Sequence, residues 1–258
     1  MSGFTKEWLD LREPVDAQAR DKSLLHAANE LLTGPNPLVV DLGCGIGSTV
    51  RAFGAARGTI RWRLLDHDPV LIDHAAQEFP DAQVIRSDLR DITALPLAGA
   101  TLVTASALFD LCSGAFISEL TERIIRMAMP LYAALTFNGI ILWQVPHPLD
   151  TEVVTQFNIH QRRDKGFGPA EGANAASVLD VSFTRSGYHV VCAPSNWVLN
   201  AGHANLQAEF IKGVYRAVKE TGTIGSAQLR EWRNDRLSEV TKDGCCIVGH
   251  IDCLAVPV

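Results

Sequence analysis

The strongest constraint on the fold is the segment LVVDLGCGIGS at residues 38–48. Leu38, Val39 and Val40 form an apolar run without polar alternation, the mark of a strand buried on both faces. Gly43, Gly45 and Gly47 follow at once. Glycine lets a chain turn with positive φ and lets a ligand approach the backbone closely. The dinucleotide fingerprint GxGxxG would need a third glycine at position 48, which is Ser48. The pattern is GxGxG instead, with Asp41 two residues ahead of it. A second strand, 60–65, runs into Asp66, 19 residues past Gly47. That is close to the spacing at which an acid grips a ribose. Asp68 is the alternative gripping acid, and Asp66 is preferred because it abuts the strand. A third strand, 83–85, leads to Ser87-Asp88-Leu89, where the acid can accept from an adenine amino group and the Leu89 N–H can donate to the ring.

The other elements follow from apolar spacing. Helices are expected at 17–32, 48–56 and 69–79, then at 117–135, with further ones near 203–220 and 226–238. Strands are expected at 102–105, 140–145, 188–192 and 246–256. The apolar run 127–145 is long enough to raise the question of a membrane span. Asn138-Gly139 divides it, so it reads as a helix, a turn and a buried strand. Strands alternating with helices imply crossover connections and a mainly parallel sheet.

Composition narrows the function classes. With 47% hydrophobic and 20% charged residues, a net charge of −6 and a pI near 5.7, the chain is neither disordered nor held to nucleic acid by a basic surface. Its six cysteines form no CxxC pair, so reduced thiols in a cytoplasmic protein are expected. The N-terminus MSGFTKEWLDLREP has no apolar core of a signal peptide. No membrane partner is expected.

Three segments of the sequence resemble class I S-adenosylmethionine-dependent methyltransferases. VVDLGCGIG is similar to their first motif, LLDHDP to their ribose-binding strand end, and RSDLRD to their adenine-binding acid. The resemblance implies an α/β fold with a doubly wound, mainly parallel seven-stranded sheet, the Rossmann-like methyltransferase fold. An N-terminal helical arm and a late helical insertion complete it. One domain is expected over 1–258, with the arm at 1–35 and a cofactor-binding core at 36–145. The substrate loop, inserted helices and last strands take 146–258. By the same resemblance S-adenosylmethionine is the cofactor, held by Asp41, Gly43, Gly45, Asp66 and Asp88, and Cys44, His67, Leu89, Ser106 and Arg20 are further candidate cofactor contacts.

Methyl transfer from a sulfonium is an in-line displacement, so the protein mainly aligns the reactants and excludes water. The acceptor site is therefore harder to read. Asp110, His147 and His160 are the candidate catalytic groups, with Trp8, Arg12, Phe109, Arg163 and Lys165 the candidate acceptor contacts. The basic loop 157–169 suits an anionic small molecule. An RNA or protein methyltransferase and a non-catalytic cofactor-binding module are the alternatives. A nicotinamide oxidoreductase is disfavoured by Ser48. No metal is expected, because no histidine–carboxylate–cysteine set has ligand spacing. His250 and Asp252 alternate onto one strand face, where they can pair with each other. The apolar face of 203–220 can cover the active site, pack the sheet or form a homodimer interface.

Overall fold

A computed structural model describes residues 5–242 and 244–258, with residues 55–57 described by their backbone alone. The chain opens with α1 (Lys6–Ala19) and α2 (Lys22–Glu30), then enters β1 (Leu38–Leu42) and the short α3 (Ser48–Ala52). Next come β2 (Arg61–Asp66), α4 (Pro69–Glu78), β3 (Gln83–Arg86), β4 (Leu102–Ser106) and α5 (Gly114–Arg126). After β5 (Leu131–Trp143) lie α6 (Asp150–Gln161), α7 (Ala175–Arg185), β6 (Tyr188–Pro194) and β7 (Trp197–Leu199). The chain ends with α8 (Ala204–Thr221), α9 (Ser226–Val240) and β8 (Cys246–Pro257).

The sheet has the order β3-β2-β1-β4-β5-β8-β6, and β7 pairs with the far half of β8. Strands β1 to β5 run parallel, while β8 is antiparallel to β5, β6 and β7. This is the Rossmann-like methyltransferase fold. The order reverses between β1 and β4, and a fold of this type opens its ligand crevice there. β1 is buried at every residue because helices cover both sheet faces. Asp68 is settled as a cap: its carboxylate accepts from the Val70 and Leu71 amides at the start of α4, with Pro69 behind it.

Several expectations need correction. The helix expected at 17–32 is two helices. Arg20 leaves the helical conformation at ψ 134°, and Asp21 caps α2 through the Leu24 amide at 2.8 Å. The 48–56 helix closes after Ala52 and continues as a 3-10 turn, Gly54–Thr59. The 117–135 helix stops at Arg126, and residues 131–143 form one long strand. Periodicity cannot separate a buried helix from a strand buried on both faces. Asn138-Gly139 is not a turn between elements but an irregularity within β5. Register against β8 shifts there and again near Leu135, which has φ 55°.

Cys192 and Cys253 are disulfide-bonded, which overturns the expectation of six reduced thiols. They face each other on the paired strands β6 and β8 with Cα atoms 4.1 Å apart, although 61 residues separate them in sequence. His250 and Asp252 do not pair. His250 Nδ1 lies 3.1 Å from the Val248 carbonyl, while Asp252 accepts from Tyr132 Oη, Leu135 N and Asp21 N.

The late helices build a second core. Leu206, Phe210, Ile211, Val214 and Val218 of α8 and Trp232 of α9 pack on Phe137, Ile141, Trp197 and Val248, the extension of the sheet. The apolar face read at 203–220 is thus buried inside the chain. Among the described residues, no helix is long and apolar enough to cross a membrane.

Candidate active site

The crevice at the β1–β4 reversal is a cavity of about 410 Å³. Its floor is the turn after β1. Gly43 and Gly45 adopt φ 68° and 54°, and the Gly43 and Cys44 amides donate to the Leu65 carbonyl at 2.8 and 3.0 Å. Gly47 caps α3 at φ 85°, and a Cβ there would enter the Phe79 ring. Leu9 of α1 closes over the turn: a Cβ on Gly45 would meet its Cδ1 at 3.3 Å.

Asp66 ends β2 and lines the cavity. Its Oδ1 accepts from the His67 and Asp68 amides at 2.7 and 3.0 Å, and its Oδ2 from Gly45 N at 2.9 Å. A carboxylate has about four acceptor positions, so one on Oδ2 is left for a ligand. Asp41 lies beneath the turn, 1% exposed. Oδ1 accepts from Thr104 Oγ1 at 2.7 Å, and Oδ2 is buried without a protein donor. Burial raises its pKa to about 7, against the opposing pull of Thr104 and Arg20. Arg20 bonds Ser106 Oγ at 2.9 Å through Nη2, and its buried Nη1 is also without a partner. Neither Asp41 nor Arg20 lines the cavity itself; Ser106, which Arg20 bonds, does.

Asp88 and Leu89 line the far end with His67. The Asp88 carboxylate is clasped by Arg90, whose Nη2 lies 2.6 Å away and holds the acid's pKa down to about 2. Ala107, just past β4, has φ 51° and donates its N–H to the Ala134 carbonyl. A non-glycine residue there is strained by ~1–2 kcal/mol, and it forms part of the cavity wall.

The acceptor-side candidates separate. Arg12, Asp16 and Lys165 line the cavity, as do Gly166 and Phe167. Asp110 sits beside it in the 3-10 turn Phe109–Leu111, its Oδ1 buried and without a donor. Burial raises its pKa to about 6, against the opposing pull of its own backbone N–H, Arg12, the Phe137 N–H and Lys165. Phe109 is in the core at 1% exposed. Trp8 packs on Trp197, with ring centroids 6.4 Å apart. His147 and His160 do not line the cavity: their Nε2 atoms lie 3.3 and 3.0 Å from Asp235 and Glu220. Arg163 also goes to Glu220. His147 falls outside because β5 passes the site at Ala134, which pairs with Ser106, and runs on to Trp143. The expected loop 157–169 is helical up to Gln161. The remainder folds back through Asp164 Oδ1, which accepts from Gly166 and Gly168 amides.

Sequence reasoning missed Asp16, Arg90 and Ala107. Asp16 stands four residues after Arg12, the spacing of a helical ion pair, so it had a signal. Ala107 had none.

No protein-family model matches this chain, and no curated protein does. Among solved structures, the YcgJ protein of Bacillus subtilis aligns over 92% of this chain and 100% of its own, with TM-score 0.51 and 13% identity. The cyclopropane synthase MmaA2 of Mycobacterium tuberculosis aligns over 90% of this chain and 83% of its own, with TM-score 0.49 and 12% identity. A methyltransferase of Geobacter sulfurreducens, described as S-adenosylmethionine-dependent and solved with S-adenosylhomocysteine, aligns over 100% of both chains, with TM-score 0.47 and 17% identity. At these identities the likeness is one of fold.

Proposed function

We propose that the chain binds S-adenosylmethionine in the cavity and transfers its methyl group to a small, anionic acceptor. One observation carries the reading: at the sheet reversal, Asp41 offers a buried oxygen with no donor beside a positive-φ glycine turn, and Asp66 keeps a free acceptor position. Those groups fit the cofactor's ammonium, its sulfonium-bearing chain and its ribose. Arg20 Nη1 fits the carboxylate of the methionine portion, and Asp88, Leu89 and His67 the adenine. Asp88 would share its carboxylate between Arg90 and the base.

When bound, the cofactor supplies a methyl group already activated by the sulfonium charge. The chain's own part is alignment and exclusion of water. Leu9, Leu108 and Phe167 enclose the cavity with apolar surface. The proposed acceptor chamber takes Arg12, Lys165 and Asp110. It leaves His147, His160, Arg163, Trp8 and Phe109 outside.

The test is methyl transfer from labelled S-adenosylmethionine to a metabolite extract, to total RNA and to proteins. Label is expected in the small-molecule fraction. Label in RNA or protein alone, or none in any fraction, contradicts the proposal.

A further inference from the structure

Two cations meet one cavity wall, and each is held differently. Arg12 is 9% exposed and lies on α1. Its Nε and Nη2 donate to Asp16 at 2.8 and 3.2 Å, and its guanidinium stacks 5.0 Å from the Trp197 ring centroid. Asp16 is fixed in turn by Trp197 Nε1 at 2.8 Å. The guanidinium is therefore locked in orientation, and among the described residues nothing takes Nη1. An arginine fixed on two sides in this way is pre-organised to bind a planar anion.

Lys165 comes from the loop after α6. Among the described residues its ammonium has no carboxylate within ion-pair distance, and its hydrogen-bond neighbour is His160 Nδ1 at 3.4 Å. Burial lowers its pKa, so an anion brought beside it relieves a real desolvation cost. Asp110 is near both, since each reaches it electrostatically. Leu108, Leu111 and Phe167 supply apolar wall around them.

We infer that Arg12 and Lys165 form a clamp for the carboxylate of the acceptor, which makes the acceptor a small organic acid with an apolar body. The inference deepens the proposed function and rests on it for the role of the bound acid as methyl acceptor. The anion site itself is independent of the cofactor. Asp16 and Trp197 are positioning residues that aim Arg12.

The test uses the whole chain and matched probes: benzoate with benzamide, 4-hydroxybenzoate with 4-hydroxybenzamide, and hexanoate with hexanamide. Binding is read by tryptophan fluorescence, because Trp197 lies against Arg12, and S-adenosylhomocysteine is titrated separately. At least one acid is expected to bind tenfold or more tightly than its own amide. Lys165→Met and Arg12→Gln are each expected to erase that preference while S-adenosylhomocysteine affinity holds. Lys165→Met keeps the test sound should Arg12→Gln unfold the chain by stranding Asp16. No acid preferred over its amide, or a preference untouched by Lys165→Met, overturns the clamp. A preference for acids in a chain that ignores S-adenosylhomocysteine supports the clamp and removes the methyltransferase reading instead.

Discussion

At the scale of single residues, the site is a set of backbone and carboxylate positions with little freedom. Gly47 is the clearest: it needs φ 85° and has the Phe79 ring where a Cβ would be. Gly47→Ala is expected to destabilise the chain by about 2–4 kcal/mol, from left-handed strain and overpacking together. Urea denaturation measures it, and Phe79→Ala in the same chain is expected to recover the overpacking part alone.

Asp41 is the residue where pH enters. Its pKa in the folded chain is raised to about 7, so the carboxyl is largely protonated below that pH. An ammonium ligand selects the ionised form. Affinity for S-adenosylhomocysteine is therefore expected to rise with pH through 7 and level off above it, by about tenfold between pH 6 and 8. Calorimetry across that range reads it, and Asp41→Asn is expected to flatten the profile. In the free chain the same shift acts on stability. Asp41 favours the folded state most at low pH, and this contribution fades as pH rises from about 4 to 7. The glycines, Asp41, Asp66 and Asp88 were legible in the sequence because a strand end marks each one. Ala107 was not, since nothing in the letter A announces positive φ.

At the scale of elements, β5 decides where the site ends. Its two irregularities let one strand serve the parallel half of the sheet and then the extension under α8 and α9. Asp252 holds the first irregularity, accepting from Leu135 N at 2.7 Å and Tyr132 Oη at 2.9 Å. It also takes the Asp21 amide at the start of α2, which ties the Arg20 corner to the sheet. Asp252→Ala leaves three buried or half-buried donors without an acceptor and is expected to cost at least about 3 kcal/mol. The check is urea denaturation of both chains. The sequence showed an apolar run here but not its direction, because a helix and a doubly buried strand share that pattern. His147 was misplaced for that reason alone, its distance from the cavity following from the unexpected length of β5.

At the scale of the whole molecule, the Cys192–Cys253 bond closes a loop that includes β7, α8 and α9. Cross-linking a loop of 61 residues restricts the unfolded chain. By loop-closure entropy this is worth about 4 kcal/mol. Reductant is expected to lower the urea midpoint accordingly, and alkylation of the urea-unfolded chain before reduction is expected to tag four of the six cysteines. Six tagged cysteines would contradict the bond. The pairing was invisible in sequence because it depends on the register of two strands. The crossover order of strands and helices was visible, because each strand end carries its own turn or cap signal.

The cavity at the β1–β4 reversal is the proposed cofactor site, on which the proposed methyl transfer depends. Calorimetric titration of the whole chain with S-adenosylhomocysteine tests this most directly. One site per chain is expected, weakened at least tenfold by Asp66→Ala. No binding to the intact chain, or affinity unchanged by Asp66→Ala, would contradict it.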